Sequence, residues 1–451
     1  MSHSKELLAT YETEIETIWR DMTPKSRQLC DKSKLFTPGG AVRSHSTGTH
    51  LPYGDRVDGC HVYDVDGNQY IDLVLGMACI MGHNHPAIAD AIQEQIPKGL
   101  VTFKPDIKWD LLAEKMSHRV PSIDKVWPAF GGSQAFMWAI RAARAHTRRD
   151  KIIKVSASYH GTYDDAFISP PHGSPGIPKN RLDHILFVNW NDKEGTEKVI
   201  RENSDDIAAV LTEGFHTGGA LAPRDGYLTH LRELTQQYGI VLIFDEIVNF
   251  WLDHGGTGKL YDVEPDLCCY GKGIGGGIAM GLIGGKNEIM NLFNQEENYR
   301  IAAIAAHQGD PLTVTASLAC LDIMTEEEIS RINANGEYMA DGIRNALASA
   351  GLRGFVSGYG NHQALHLTDQ VDVADPVDYF TNANAPGLRE VMPLFRRSLI
   401  NKGVMTLENL MHVRASIPLT HEDIDFSIQA IAETFREIQP ILAETAPHLV
   451  A

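Results

Sequence analysis

The chain has 451 residues, 43% of them hydrophobic and 22% charged, with a formal net charge of −18. That length buries a large core in two or three lobes. The acidic balance disfavours nucleic-acid binding, because no Lys/Arg run supplies a basic patch. No apolar stretch approaches the ~18 residues of a membrane span, and six cysteines without a CxxC spacing fit a reduced, cytoplasmic protein.

Residues 4–32 place Leu7, Leu8, Tyr11, Ile15, Ile18 and Trp19 near one face, which predicts an amphipathic helix with no apolar core of the secretory kind. A glycine-rich loop, Phe36 to Gly40, leads to Arg43. Between 57 and 75, Cys60–Tyr63 and Tyr70–Leu73 flank Asp66-Gly67-Asn68 and predict a hairpin. Phe130-Gly131-Gly132-Ser133-Gln134-Ala135 opens a helix-patterned run. Its glycines let the backbone approach an anion, toward which first-turn N–H groups point. Bonds from Gly132 and Ser133 outweigh a dipole contribution of about 0.3–1 kcal/mol. An ordinary capped helix start reads the same way.

From about 110 to 320, helical and strand-like segments alternate. Ile152–Val155, Ile185–Val188, Ala208–Leu211, Ile240–Phe244 and Leu267–Tyr270 are short and nearly all apolar, as parallel strands covered on both faces are. After the first of them come Tyr159-His160-Gly161, where an aromatic can stack on a flat ring or pack in the core. The fourth runs into Asp245-Glu246-Ile247. The fifth ends at Gly271-Lys272, with Gly273, Gly275, Gly276 and Gly277 behind it. An acid and an amine delivered at neighbouring strand ends suit pyridoxal phosphate, which has a basic ring nitrogen at one end and an aldehyde at the other. Lys272 would form the imine, since burial disfavours its charged form. Asp245 would keep the ring nitrogen protonated, or else cap the next helix. Ile247 would pack under the ring or simply in the core. Beyond 325, helices near 326–350 and 421–445 predict a smaller α+β lobe. Arg414, in His412-Val413-Arg414-Ala415-Ser416, and Arg43 are candidate grips for a substrate carboxylate or phosphonate; a surface salt bridge is the ordinary alternative for each.

Together these segments resemble the class III (ω-) aminotransferases of pyridoxal-phosphate fold type I, nearest the branch with glutamate-1-semialdehyde aminomutase and the β-phenylalanine aminotransferases. The likeness spans roughly 35–435, through Pro38-Gly39-Gly40, Gly82-His83-Asn84-His85-Pro86, Gly131-Gly132-Ser133, Tyr159-His160-Gly161, Asp245-Glu246-Ile247, Gly271-Lys272 and Arg414. It implies an α/β large domain with a mostly parallel seven-stranded sheet between helices over 76–325. A smaller α+β domain over 326–451 would be joined by an N-terminal helix and hairpin segment over 1–75. The resemblance also implies a homodimer with active sites at the interface. Within the site it implies Lys272 and Asp245 as catalytic residues, Tyr159 stacking, Gly132 and Ser133 on the phosphate, and Arg414 and Arg43 on the substrate.

Four departures from the family pattern stand out. Gly131-Gly132-Ser133-Gln134-Ala135 replaces Ser-Gly-Thr/Ser-Glu-Ala. Ala306 stands where the neighbouring subunit offers a phosphate-binding threonine, with His307 and Gln308 as substitutes. Glycine in Glu213–Gly219 replaces a glutamate that lets some members switch substrates. Asn249-Phe250-Trp251 lacks the usual Thr-Gly-Phe-Arg and is expected on the active-site wall. The expected activity is amino transfer from a small anionic amine of β- or ω-amino-acid type to an oxo acid. The alternative is an ammonia-lyase, phospho-lyase or aminomutase acting on a similar anionic compound, such as an amino-alcohol phosphate, a phosphonate or an amino aldehyde. No metal, nucleic acid or membrane is expected.

Overall fold

The computed structural model describes residues 3–40, 50–75, 79–101, 104–167, 175–297, 299–406 and 411–451. Two helices, His3–Met22 and Pro24–Ser33, replace the single one expected over 4–32. The break falls at Thr23, because the residue before a proline is pushed out of helical geometry. Tyr11, Ile15 and Trp19 are buried, whereas Ile18 lies off that face at 48% exposure. Three antiparallel strands follow: β1 (Gly54–Asp58), β2 (His61–Asp64) and β3 (Gln69–Asp72).

Seven strands form the central sheet: β4 (Lys125–Ala129), β5 (Lys151–Val155), β6 (Ile185–Val188), β7 (Ile207–Glu213), β8 (Val241–Asp245), β9 (Leu267–Tyr270) and β10 (Gly281–Gly285). Their order is β4-β10-β9-β8-β7-β5-β6, and β10 runs antiparallel to both its neighbours. Every residue of β7 and β8 is buried, since helices cover both faces. Side chains alternate between two cores, as the two-residue period of a strand demands. Ala209, Leu211, Ile243, Leu267, Cys269 and Ile283 face a core shared with the helix Gly132–Thr147. On the opposite side lie Val210, Leu242, Phe244, Cys268, Tyr270 and Leu282. The sheet is wound outward from β5, with β6 on one side and β7 on the other, which opens a crevice at the carboxyl ends of the strands.

Beyond 325 the chain adds the long helices Glu326–Ser349 and His421–Thr445. It also adds an antiparallel sheet of β11 (Phe355–Tyr359), β12 (His362–His366) and, after the short β13 (Val404–Met405), β14 (His412–Arg414). Strand β13 leaves that sheet and pairs parallel with β3, extending the N-terminal sheet. The first helix packs onto the same C-terminal elements: Tyr11 donates to Glu437 at 2.9 Å and Asn401 Nδ2 to the Ile15 carbonyl at 2.9 Å. Among the described residues no helix is long and apolar enough to cross a membrane. All six cysteines are free and buried.

Candidate active site

The carboxyl ends of β4, β5, β7, β8 and β9 converge on a cavity of about 400 Å³. Adjacent strands deliver two acids, because Glu213 and Asp245 are register partners at the ends of β7 and β8. Asp245 Oδ2 lies 2.7 Å from His160 Nδ1, and its Oδ1 accepts from the Ile247 N–H at 2.9 Å. An ionised carboxylate only accepts, so His160 carries its proton on Nδ1 and donates it. Complete burial holds the imidazole neutral, with its pKa pushed down against the pull of Asp245. His160 Nε2 is buried and has no partner among the described residues.

Neighbouring Glu246 turns the other way. Its Oε1 accepts from the Thr257 N–H at 2.8 Å and the Thr257 hydroxyl at 2.7 Å, capping the short helix Gly256–Leu260. The structural role open to Asp245 from sequence is therefore filled by Glu246. Glu213 is anchored by the Thr217 N–H at 2.9 Å and by the Thr217 hydroxyl. Burial, then the Asp245 charge, push its carboxyl pKa up, which favours the protonated form.

Lys272 opens a tight turn after β9 with φ at +48°, a left-handed conformation that costs a non-glycine residue strain and clusters at functional sites. Its side chain is accessible from the cavity. The wall of protein around it lowers its pKa; the Arg414 charge acts in the same sense, while Asp245 and Glu213 oppose. Across the cavity, the helix Gly132–Thr147 begins at its rim. Gln134 and Ala135 donate back to the Gly131 carbonyl, which leaves the Gly132 and Ser133 amides without an intrahelical acceptor. Ser133 Oγ accepts from the Thr162 N–H at 3.1 Å, so its proton is available to a ligand. A Cβ on Gly132 would stand 2.1 Å from Ile247 Cδ1, so any side chain there would push the end of Ile247 aside. Tyr159 and Ile247 both line the cavity.

Arg414 is 1% exposed and is not among the residues lining the cavity. It sits directly behind one of them: Nη1 donates to the Val248 carbonyl at 2.9 Å and Nη2 to Asn361 Oδ1, while Nε is left without a partner. No carboxylate neutralises it among the described residues, and burial lowers its pKa to about 9. Arg43 lies outside the described residues. His307 pairs with Asp310 at 3.0 Å and Gln308 accepts from the Ala305 N–H, so both substitutes for the hydroxyl missing at Ala306 are engaged within their own turn. The expectation for Asn249-Phe250-Trp251 is corrected: all three are buried behind the wall. The wall itself is formed there by Ile247 and Val248. Asn249 Nδ2 bonds the Phe215 carbonyl at 2.7 Å and Oδ1 meets His362 Nδ1 at 2.8 Å, tying two sheets together.

The sequence matches the family Aminotransferase class-III over residues 43–435. The chain belongs to that family. A glutamate-1-semialdehyde 2,1-aminomutase from Heliobacterium modesticaldum is 34% identical over 442 residues, covering 94% of this chain and 99% of that protein. An ω-transaminase from Sphaerobacter thermophilus is 31% identical with a TM-score of 0.87, covering 92% of this chain and 97% of its own. A transaminase solved with PLP bound is 27% identical with a TM-score of 0.83, covering 94% and 99%.

This class-III aminotransferase is thus a pyridoxal-phosphate enzyme of fold type I. The residues present fit that cofactor. An acid stands near the amine of Lys272, and the free helix-end amides of Gly132 and Ser133 with the Ser133 hydroxyl suit a phosphate. Among the cavity residues with no role in the sequence reading are His160, Glu213, Val248 and Phe380. The signal for His160 was its place in Tyr159-His160-Gly161, and for Glu213 its place at the end of an apolar strand, as for Asp245. Nothing local marks Val248 or Phe380.

Proposed function

We propose that this chain transfers the amino group of a small amine bearing one anionic group to an oxo acid. The observation carrying the reading is Lys272 in a cavity between the Asp245–His160 pair and the first turn at Gly132 and Ser133. Pyridoxal phosphate, when bound there, supplies an electron-withdrawing ring that stabilises negative charge at the substrate carbon. Asp245, oriented by His160 and the Ile247 amide, keeps a basic ring nitrogen protonated. Gly132 and Ser133 hold the phosphate, and Ile247 and Tyr159 take the two faces of the ring. Lys272, with its charged form disfavoured, holds the cofactor before substrate arrives; its Nζ then removes a proton from the substrate carbon and later returns one. Arg414, from behind Val248, and Arg43 hold the substrate anion. The working unit is a homodimer with sites at its interface, which would cover the exposed Phe130 (51%) and Ile304 (72%).

A second reading is the aminomutase, favoured by the 34% identity to glutamate-1-semialdehyde 2,1-aminomutase along nearly the whole chain. Gly218 in the loop after β7 also leaves no glutamate there for switching between unlike partners. One screen separates these readings: anionic amines with and without an oxo acid, following ammonium, carbonyl product and the position of the amine. Acceptor-dependent turnover supports transfer. Isomerisation without acceptor supports the mutase, and ammonium released without acceptor supports a lyase.

A further inference from the structure

The loop after β7 and a helix from the C-terminal half of the chain meet at the cavity with almost nothing between them. The loop is stiff: His216 and Leu221 exchange backbone hydrogen bonds at 2.9 and 3.0 Å. The Gly218 N–H donates to His216 Nδ1 at 3.0 Å, which leaves His216 Nε2 to donate to Ser158 Oγ at 3.0 Å. The helix, Pro376–Ala383, is as firmly held. Asp375 caps it through the Val377 N–H at 2.7 Å. Arg224 grips Asp372 and the Val373 carbonyl, and Asn191 the Ala374 carbonyl at 3.0 Å. Tyr379 is buried edge-on against His366 and His412. Phe380 is thereby presented to the cavity. A Cβ on Gly218 would stand 3.2 Å from Phe380 Cε2, and one on Gly219 3.0 Å from Tyr379 Cγ. Two consecutive aromatics thus close on two consecutive glycines.

We propose that Phe380, closing on Gly218, is the specificity wall of this site: it takes an uncharged apolar or aromatic side group of the amine and turns away a second carboxylate. This rests on the reading that the cavity binds anionic amines. Among the described lining residues Lys272 is the one Lys or Arg. His160 and His216 are neutral, the latter with its pKa held at about 3 by burial. A second carboxylate beside Phe380 would lose its water and, among the described lining residues, meet no Arg and no Lys but Lys272, whereas an aryl group gains an apolar face.

Calorimetry on the holoenzyme with carboxylates that lack an amine tests this without turnover. The probes are 3-phenylpropanoate, butanoate and glutarate. The expected order is 3-phenylpropanoate tighter than butanoate by about tenfold or more, with glutarate weakest. Phe380→Ala should erase the phenyl advantage and Phe380→Leu should keep most of it. Gly218→Ala, by pressing on the ring, should weaken 3-phenylpropanoate more than butanoate. Equal affinity for the phenyl and alkyl ligands, tightest binding of glutarate, or an unchanged ratio in Phe380→Ala overturns the proposal. The change in cofactor absorbance on adding amines is read separately. If no amine changes it while the ligand order stands, the amino-transfer reading fails and the wall survives; amine-dependent change with a flat ligand order sinks the wall alone.

Discussion

At one end of the cavity, Gly132, Ser133, Asp245 and Lys272 each lie within four residues of the end of a strand, and His160 within five. Elsewhere in the cavity, Phe380 and Gly218 come from a helix and a loop, and behind the wall Arg414 comes from a strand of a different sheet, with Asn361 and Val248 meeting around it from segments far apart in the chain. The first group is fixed by strand order: once β8 lies between β7 and β9, Asp245 and Lys272 must be neighbours. The second depends on how the C-terminal elements seat against the sheet. On the proposed reading, chemistry common to every substrate belongs to the first group of residues, and choice among substrates to the second.

That division can be broken by substitutions whose effects are expected to shrink in order. Asp245→Asn should lower kcat for all substrates alike by about a hundredfold or more, each tenfold being about 1.4 kcal/mol of barrier; near-normal turnover would remove Asp245 from the mechanism. Gly132→Ala drives a methyl into Ile247, and overpacking of about 1–3 kcal/mol should loosen cofactor retention for every substrate. Dialysis followed by cofactor quantitation reads it. Arg414→Lys keeps a charge but loses the guanidinium fork, so KM for anionic amines should rise about tenfold with kcat little changed. An unchanged KM would end the grip.

The smallest effect concerns the buried histidines that tie the second group together. His362 donates to Asn249, so its Nε2 accepts from His412 Nδ1 at 2.8 Å, and burial holds His412 down at about 3. A histidine depressed in the folded state contributes stability that is present above its unfolded pKa, about 6.5, and lost as pH falls toward the folded value. His412→Gln keeps a donor without that titration. Its gap in thermal midpoint from the parent protein should therefore narrow, by about a degree, between pH 7.5 and pH 5. A gap that widens contradicts the neutral assignment.

The same contrast explains what could be read along the chain. Ile185–Val188 and Leu267–Tyr270 are apolar runs and are strands over those residues. Two strands give no such signal: β4 contains Pro128, tolerated because β4 is at the sheet edge, and β10 is three-fifths glycine. Thr23-Pro24 broke a helix whose apolar spacing ran on. Asp245 and Glu246, adjacent and both acidic, could be told apart only once Thr257 came to cap a helix against one of them. The family resemblance put Asn249 on the wall, yet its side chain turns inward to Phe215 and His362. Phe380 has no local mark at all, since its meaning comes from Gly218 across the cavity.

The most direct measurement is borohydride reduction of the purified holoenzyme followed by peptide mass analysis. A pyridoxyl group on the peptide carrying Lys272, absent after Lys272→Ala, is the result expected. A holoenzyme whose reduced cofactor sits on another lysine, or on none, would contradict the placement of Lys272 at the centre of this site.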